Sequence, residues 1–160
     1  MGGRTKNVLT KRGNKLIMTD YVCGYPGILS RKQGFMFFIG SSNGKGRGVF
    51  AQKRFCKGDI IERSPVIVIP KHEEGLLEGT VLYNYTYGWG EGLEDSAIAL
   101  GFGSLYNHAY RPNAMYKRMR DDMMIVYVAL RDIAEGEEIT VNYNGQPGDQ
   151  SPLWFKVAAE

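Results

Sequence analysis

The residues best suited to chemistry fall in two stretches. Asn107-His108-Ala109-Tyr110-Arg111-Pro112-Asn113 is a polar knot that follows an apolar, glycine-rich run, Ile98-Ala99-Leu100-Gly101-Phe102-Gly103. About thirty residues on, Glu138-Ile139-Thr140-Val141-Asn142-Tyr143 reads as a strand that ends on a tyrosine and meets a Gly/Pro loop. Together they offer an amide, an imidazole and a phenol. Tyr83, Tyr85 and Tyr87 alternate, a spacing that puts all three on one face of an extended segment. Aromatic faces attract an ammonium ion and keep water from it. Gly46-Arg47-Gly48 by itself is a hairpin turn. A strand follows it rather than a helix, so it is no dinucleotide fingerprint, and no Walker Lys-Ser/Thr pair is present. His72 and His108 with Cys23 and Cys56 do not make a ligand set, and no metal is expected.

Taken without its neighbours, each of these residues has a plainer reading. Tyr143 is then a core tyrosine at a strand end, and His108 a satisfied histidine in a turn-forming loop. Tyr83, Tyr85 and Tyr87 are ordinary packing, and Trp154 a hydrophobic anchor for the tail. Pairing of the two stretches at their separation is what lifts them above that reading.

The elements around them are short. Gly34–Gly40 is an apolar run bounded by glycines and reads as a buried strand, with a turn cluster over Ser41–Gly46. Arg47–Gln52 leads into a strand. Ile60–Pro70 is β-branched and broken by Pro65, which predicts two strand pieces with an edge or a bend between them. Glu91–Ser104 has room for one helical turn. Ala114–Arg120 and Met123–Leu130 flank Asp121-Asp122 as a hairpin. No repeat, heptad or convincing long helix appears, so the chain reads as mostly β, with many short strands and long loops.

A length of 160 residues suits one core. Twenty-one glycines suggest many turns and close backbone approaches. The net charge of +3 is too mild to indicate direct nucleic-acid binding. Two cysteines rule out a disulfide framework and a four-cysteine zinc site, leaving two free thiols in a reducing compartment as the expectation. The apolar run Met123–Leu130 is far short of a membrane span, and no apolar stretch follows the basic N-terminus as a signal peptide would require. Residues 1–33 read as a basic arm or peripheral segment, a solvated tail or a contact for an acidic partner.

The two stretches, with Gly44-Lys45-Gly46-Arg47-Gly48-Val49-Phe50-Ala51, resemble the signature motifs of SET-domain protein lysine methyltransferases. Asn-His-x-x-x-Pro-Asn is close to the family's Asn-His-Ser-Cys-x-Pro-Asn. Ala109 and Tyr110 depart from it at positions that carry no reaction chemistry. The similarity runs from about Gly44 to Trp154 and is weak between residues 65 and 95. Compact size and the missing cysteine-rich segment look most like the minimal chlorella-virus type of SET histone methyltransferase.

The resemblance implies a SET-domain β-clip of short strands with a C-terminal pseudoknot and few short helices. The domain is expected over 34–145, with 146–160 closing the cofactor pocket without a zinc-binding post-SET segment. It implies S-adenosylmethionine as cofactor, held by Lys45, Gly46, Arg47, Gly48, Asn107, His108, Tyr143 and Trp154. Asn107 then meets the cofactor's amino-acid end, the backbone at His108 reads the adenine edge, and Trp154 stacks on adenine. Tyr143 is the residue of catalysis. Tyr85, Tyr87, Tyr116 and Val141 line the substrate channel, Tyr85 being the best match in the variable stretch.

The implied reaction is in-line displacement by a lysine amine. A free lysine holds its proton to about 10.4. A sulfonium at ~5 Å, at an effective dielectric near 20, contributes on the order of 3 kcal/mol against the charged form. No side-chain base is then required. Val141 leaves the usual position without an aromatic, and Tyr116 resembles the tyrosine of a monomethylating member, so a monomethyl product is expected. The implied partner is a histone tail, H3 first, or another lysine-bearing peptide, and the implied location is a soluble intracellular one, nuclear for a histone substrate. A homodimer, a non-histone substrate and a catalytically silent SET-like binding module all stay open.

Overall fold

The computed structural model describes residues 9–12, 15–18 and 36–157, the first two segments as backbone only. Met1–Gln33 is one unit, in which β1 (Leu9–Arg12) and β2 (Lys15–Met18) pair antiparallel. The rest of the expected arm, with Cys23, lies outside the described residues. Gly34–Glu160 is the second unit and holds everything that follows.

Its first sheet has four strands in the order β3 (Phe37–Ser42), β4 (Gly46–Ala51), β11 (Glu138–Val141), β8 (Asn107–His108). β8 runs parallel to β11, with Thr140 opposite Asn107 and Val141 opposite His108. The polar knot and the tyrosine-ended strand are therefore direct neighbours, although 31 residues separate Asn107 from Glu138. Of the expected buried strand at 34–40, the described part is only half buried. Phe37 faces the core, while Phe38 faces out and stacks on Phe50, as the two-residue period of a sheet with one wet face requires. Ser41 and Ser42 extend that strand, and the turn is confined to Asn43–Lys45.

The second sheet has the order β6 (Thr86–Trp89), β7 (Asp95–Ala99), β5 (Ile60–Ile69), β10 (Met124–Ala129), β9 (Ala114–Met119). The expected hairpin of β9 and β10 forms, Tyr116 facing Tyr127. The two pieces expected around Pro65 are one ten-residue strand. Residues 60–65 pair with β10 and residues 66–69 with β7, so the strand changes partner at the proline. Pro65 lacks an N–H but its carbonyl accepts from Leu100 N at 2.8 Å, so the position loses little.

This sheet curls. Its two edge strands come together where Arg118 Nε donates to Gly88 O at 2.7 Å and Arg120 donates to Gly90 O at 2.8 Å. Tyr87 and Tyr116 meet edge to face across the same seam, with 5.1 Å between ring centres. Among the described residues helix is limited to α1 (Lys71–Glu74) and two 3-10 turns, Val81–Tyr85 and Gly103–Leu105. Glu91–Ser104 thus holds a strand and the start of a 3-10 turn rather than a helical turn alone. Val49, Ile61, Ile125, Ile133, Ile139 and Val141 are fully buried and join the sheets into one core. Each such side chain contributes about 1.5–3 kcal/mol of burial.

Candidate active site

The parallel pairing of β8 and β11 is locked by side chains. Asn113 is buried and uses both ends of its amide: Nδ2 donates to Glu137 Oε1 at 2.9 Å and to Glu138 O at 2.7 Å, and Oδ1 accepts from Thr140 N at 2.9 Å. Asn107 Nδ2 donates to Glu138 Oε1 at 2.8 Å and to Arg47 O at 3.0 Å. Glu138 Oε2 accepts from Ser42 at 2.8 Å. One carboxylate thus ties three strands. A Cβ on Gly48 would overlap Glu138 Oε1 and lie 2.8 Å from Asn107 Nδ2. The glycine lets protein, rather than a ligand, come close.

His108 is buried. Its Nδ1 accepts from the backbone N–H of Tyr143 at 3.1 Å, and its carbonyl accepts from Lys45 Nζ at 3.1 Å. The Tyr143 hydroxyl donates to Tyr106 O at 2.9 Å, and Tyr143 O accepts from the Tyr116 hydroxyl at 3.4 Å. Burial, reinforced by Tyr85 and Glu138, pushes the Tyr143 phenol up to about 12. It is therefore a neutral donor and no phenolate base at ordinary pH. Burial likewise raises Tyr87, Tyr106, Tyr116 and Tyr127. Tyr87 and Tyr127 both reach Gly103 O at 2.8 Å and stand 3.0 Å apart.

Three cavities meet at Tyr143. One of 630 Å³ is lined by Lys45, Gly46, Arg47, Asn107, Trp154 and Phe155, among others, and by no carboxylate. A second of 270 Å³ has Lys45, Asn107, His108 and Phe155 on its wall. The third, of 200 Å³, is aromatic: Tyr85, Tyr87, Tyr106 and Tyr116, with Arg118. Asn84, Tyr85, Ser104, Tyr143 and Trp154 are shared by the largest and the aromatic cavity.

Of the expected site residues, Gly48 and Val141 line none of these cavities. Gly48 is wedged against Glu138, and Val141 is fully buried in the core beside His108. The expected single face of Tyr83, Tyr85 and Tyr87 does not form. Val81–Tyr85 coils as a 3-10 turn, Tyr83 N bonding Thr80 O at 3.3 Å, and Tyr83 is left exposed on no cavity wall.

Motif and resemblance do not point to Tyr106, Tyr127, Arg118 or Glu62, and give Phe155 no role beyond following Trp154. Hairpin register already implied Tyr127 opposite Tyr116. Tyr106 directly precedes the polar knot. Glu62 carried no local signal. Among the described residues no three of His, Cys, Asp or Glu converge as a metal site, and no helix is long and apolar enough to cross a membrane.

This fold is that of a SET domain, whose sequence model matches residues 46–144. The chain belongs to the SET-domain family and is a protein-lysine N-methyltransferase. It is 41% identical over 116 residues to a Schizosaccharomyces pombe histone-lysine N-methyltransferase specific for lysine-37 of H3, covering 72% of this chain and 74% of that protein. The crystal structure of a Plasmodium falciparum candidate histone methyltransferase superposes with a TM-score of 0.57 at 30% identity, over 76% of this chain and 97% of that one. A humanized mutant of the Chaetomium thermophilum Polycomb Repressive Complex 2, bound to an inhibitor, shares the fold at a TM-score of 0.58 and 24% identity. That match covers 67% of this chain and 14% of the other.

Proposed function

We propose that the chain methylates a lysine side chain of histone H3 with S-adenosylmethionine as donor, the largest cavity holding the donor and the aromatic cavity the lysine. The observation that carries this is the meeting of the two cavities at one neutral phenol, Tyr143. A volume of 630 Å³ lies in the range of cofactor-sized pockets. Lys45 and Arg47 suit the donor's carboxylate, and Tyr143, Trp154 and Phe155 offer aromatic faces to a sulfonium and an adenine ring.

When bound, the donor supplies an electrophilic methyl that a neutral amine takes in a single displacement. The protein's part is position and a dry site. Among the described residues no carboxylate lines the aromatic cavity to hold an ammonium, and Arg118 stands there as a cation. Desolvation and that like charge both favour the neutral amine. The Tyr143 hydroxyl is aimed by Tyr106 O, and its main chain by His108 and Tyr116. Five tyrosines, Tyr85, Tyr87, Tyr106, Tyr116 and Tyr143, line this cavity of 200 Å³, which supports a monomethyl product. A histone substrate places the protein at chromatin, and the similarity to the lysine-37 enzyme supports H3 as the first substrate to test.

Radiolabelled methyl transfer to core histones and to a cell lysate tests the proposal. Wild type labels H3 and carries mainly one methyl by mass spectrometry. Tyr143→Phe falls by about 10²–10³ in kcat, the size of losing one aimed polar group. Labelling of lysate proteins but not histones would move the substrate elsewhere. Absence of label and of any donor-induced rise in melting temperature would leave a binding module.

A further inference from the structure

Glu62 is an acidic side chain on β5 that the reaction above does not use. Its carboxylate accepts the Tyr106 hydroxyl at 2.8 Å and the backbone N–H of Phe102 at 3.0 Å. Both donors belong to the short segment that leads into Asn107. Gly101 sits at φ +70°, and a Cβ there would lie 2.5 Å from Glu62 Oε1, so the chain passes over the carboxylate with no room to spare. The same segment is gripped at Gly103 O by Tyr87 and Tyr127, and at Ser104, whose hydroxyl donates to Tyr85 O at 2.9 Å. Glu62 supplies its charge-assisted bonds, which are roughly twice as strong as neutral ones. At the end of this segment Tyr106 O receives the hydroxyl of Tyr143 at 2.9 Å.

We infer that Glu62 is a positioning residue for the reaction, aiming the Tyr143 hydroxyl through the buried ring and carbonyl of Tyr106. This rests on the role given to Tyr143 above. Tyr106 is 1% exposed, so its ring moves only with its surroundings. Freed from Glu62, the 102–106 segment can relax, and its last carbonyl drifts from the phenol it holds. A displacement of about 1 Å at a reacting centre costs up to about 100-fold in rate. The effect belongs in kcat, because Glu62 lines none of the three cavities.

The test compares Glu62→Gln, Tyr106→Phe, the double variant and Tyr143→Phe in the full chain, with H3 as substrate. Kinetic constants, donor affinity by calorimetry and melting temperature are read for each. Glu62→Gln and Tyr106→Phe are each expected to lower kcat about ten-fold with the donor KM and affinity unchanged. The double variant falls no further than the poorer single, since both remove one linkage. Wild-type kcat in Tyr106→Phe, losses that multiply in the double variant, or losses confined to KM overturn the inference. If Glu62→Gln fails to fold, Tyr106→Phe alone decides. Wild-type activity in Tyr143→Phe would instead overturn the reading of Tyr143 itself.

Discussion

Asn107 Nδ2 stands 2.8 Å from Glu138 Oε1, one of several hydrogen bonds that join the two stretches carrying the family's signature. The bond exists because Gly48 leaves space for both groups. Gly48→Ala pushes a methyl into the carboxylate and the amide at once. Overpacking of this kind costs about 1–3 kcal/mol. The expected outcome is a lower urea midpoint with an unchanged m-value, together with weaker donor binding, because the displaced Asn107 lines the largest cavity. Unchanged donor affinity at reduced stability would show that Asn107 serves only the fold.

The state of the Tyr143 phenol makes a prediction about pH. Burial pushes it up to about 12, so it stays protonated across the working range and cannot set a limb in a pH–rate profile there. The rising limb of kcat/KM belongs to the substrate amine. Replacing the target lysine by a less basic amine analogue in a peptide should move that limb to lower pH by the analogue's own difference in pKa. A limb that stays in place would assign it to the enzyme.

Much of this site was legible because type and spacing carried it. The polar knot, the strand ending in Tyr143 and the hairpin of β9 and β10 need only local rules and one long-range pairing. What failed was also local. Alternate tyrosines read as a strand face, yet Thr80 and Tyr83 close a 3-10 turn there, and only Tyr85 and Tyr87 reach the cavities. Pro65 read as a break, yet a strand that changes neighbour at the proline needs no N–H at that point. Glu62 with Tyr106 spans 44 residues and has no signature in periodicity or motif. Carboxylates that hold loops in place become visible only once the topology brings their donors to them. Val141 shows the converse: the resemblance implied a channel wall there, and the pleat turned it into the core.

Acid should loosen the link between Asn113 and the 131–138 segment. Burial works against the Glu137 carboxylate, but Arg131 at 2.7 Å, the Ala134 N–H and Asn113 outweigh it and hold the group below the usual carboxylate value of 4.5. A depressed folded value means stability that is present above 4.5 and lost as pH falls through the folded pKa. Glu137→Gln is expected to cost about 1–2 kcal/mol near neutrality, where the charged hydrogen bonds are intact. The gap from wild type should close as pH drops below 4.5, read from urea midpoints along an acid series. A gap independent of pH would mean that shape, not charge, is what Glu137 contributes.

Trp154 and Phe155 separate anchoring from ligand contact. Trp154 is 73% exposed and meets Phe155 edge to face at 5.0 Å, while Phe155 also meets Tyr143 at 6.2 Å. An indole this exposed contributes little to stability, so Trp154→Ala should leave the melting temperature within a degree or two. Both rings line the largest cavity, but only Phe155 also lines the cavity beside His108. Loss of one stacked aromatic weakens adenine binding by about 1–3 kcal/mol. Phe155→Ala is therefore expected to raise the donor KM about ten-fold or more, and Trp154→Ala by less, with some of its effect appearing in the peptide KM through the aromatic cavity. Isothermal titration of donor and steady-state kinetics on both variants decide between them: a larger donor defect in Trp154→Ala would make the indole, not the phenyl ring, the adenine's partner.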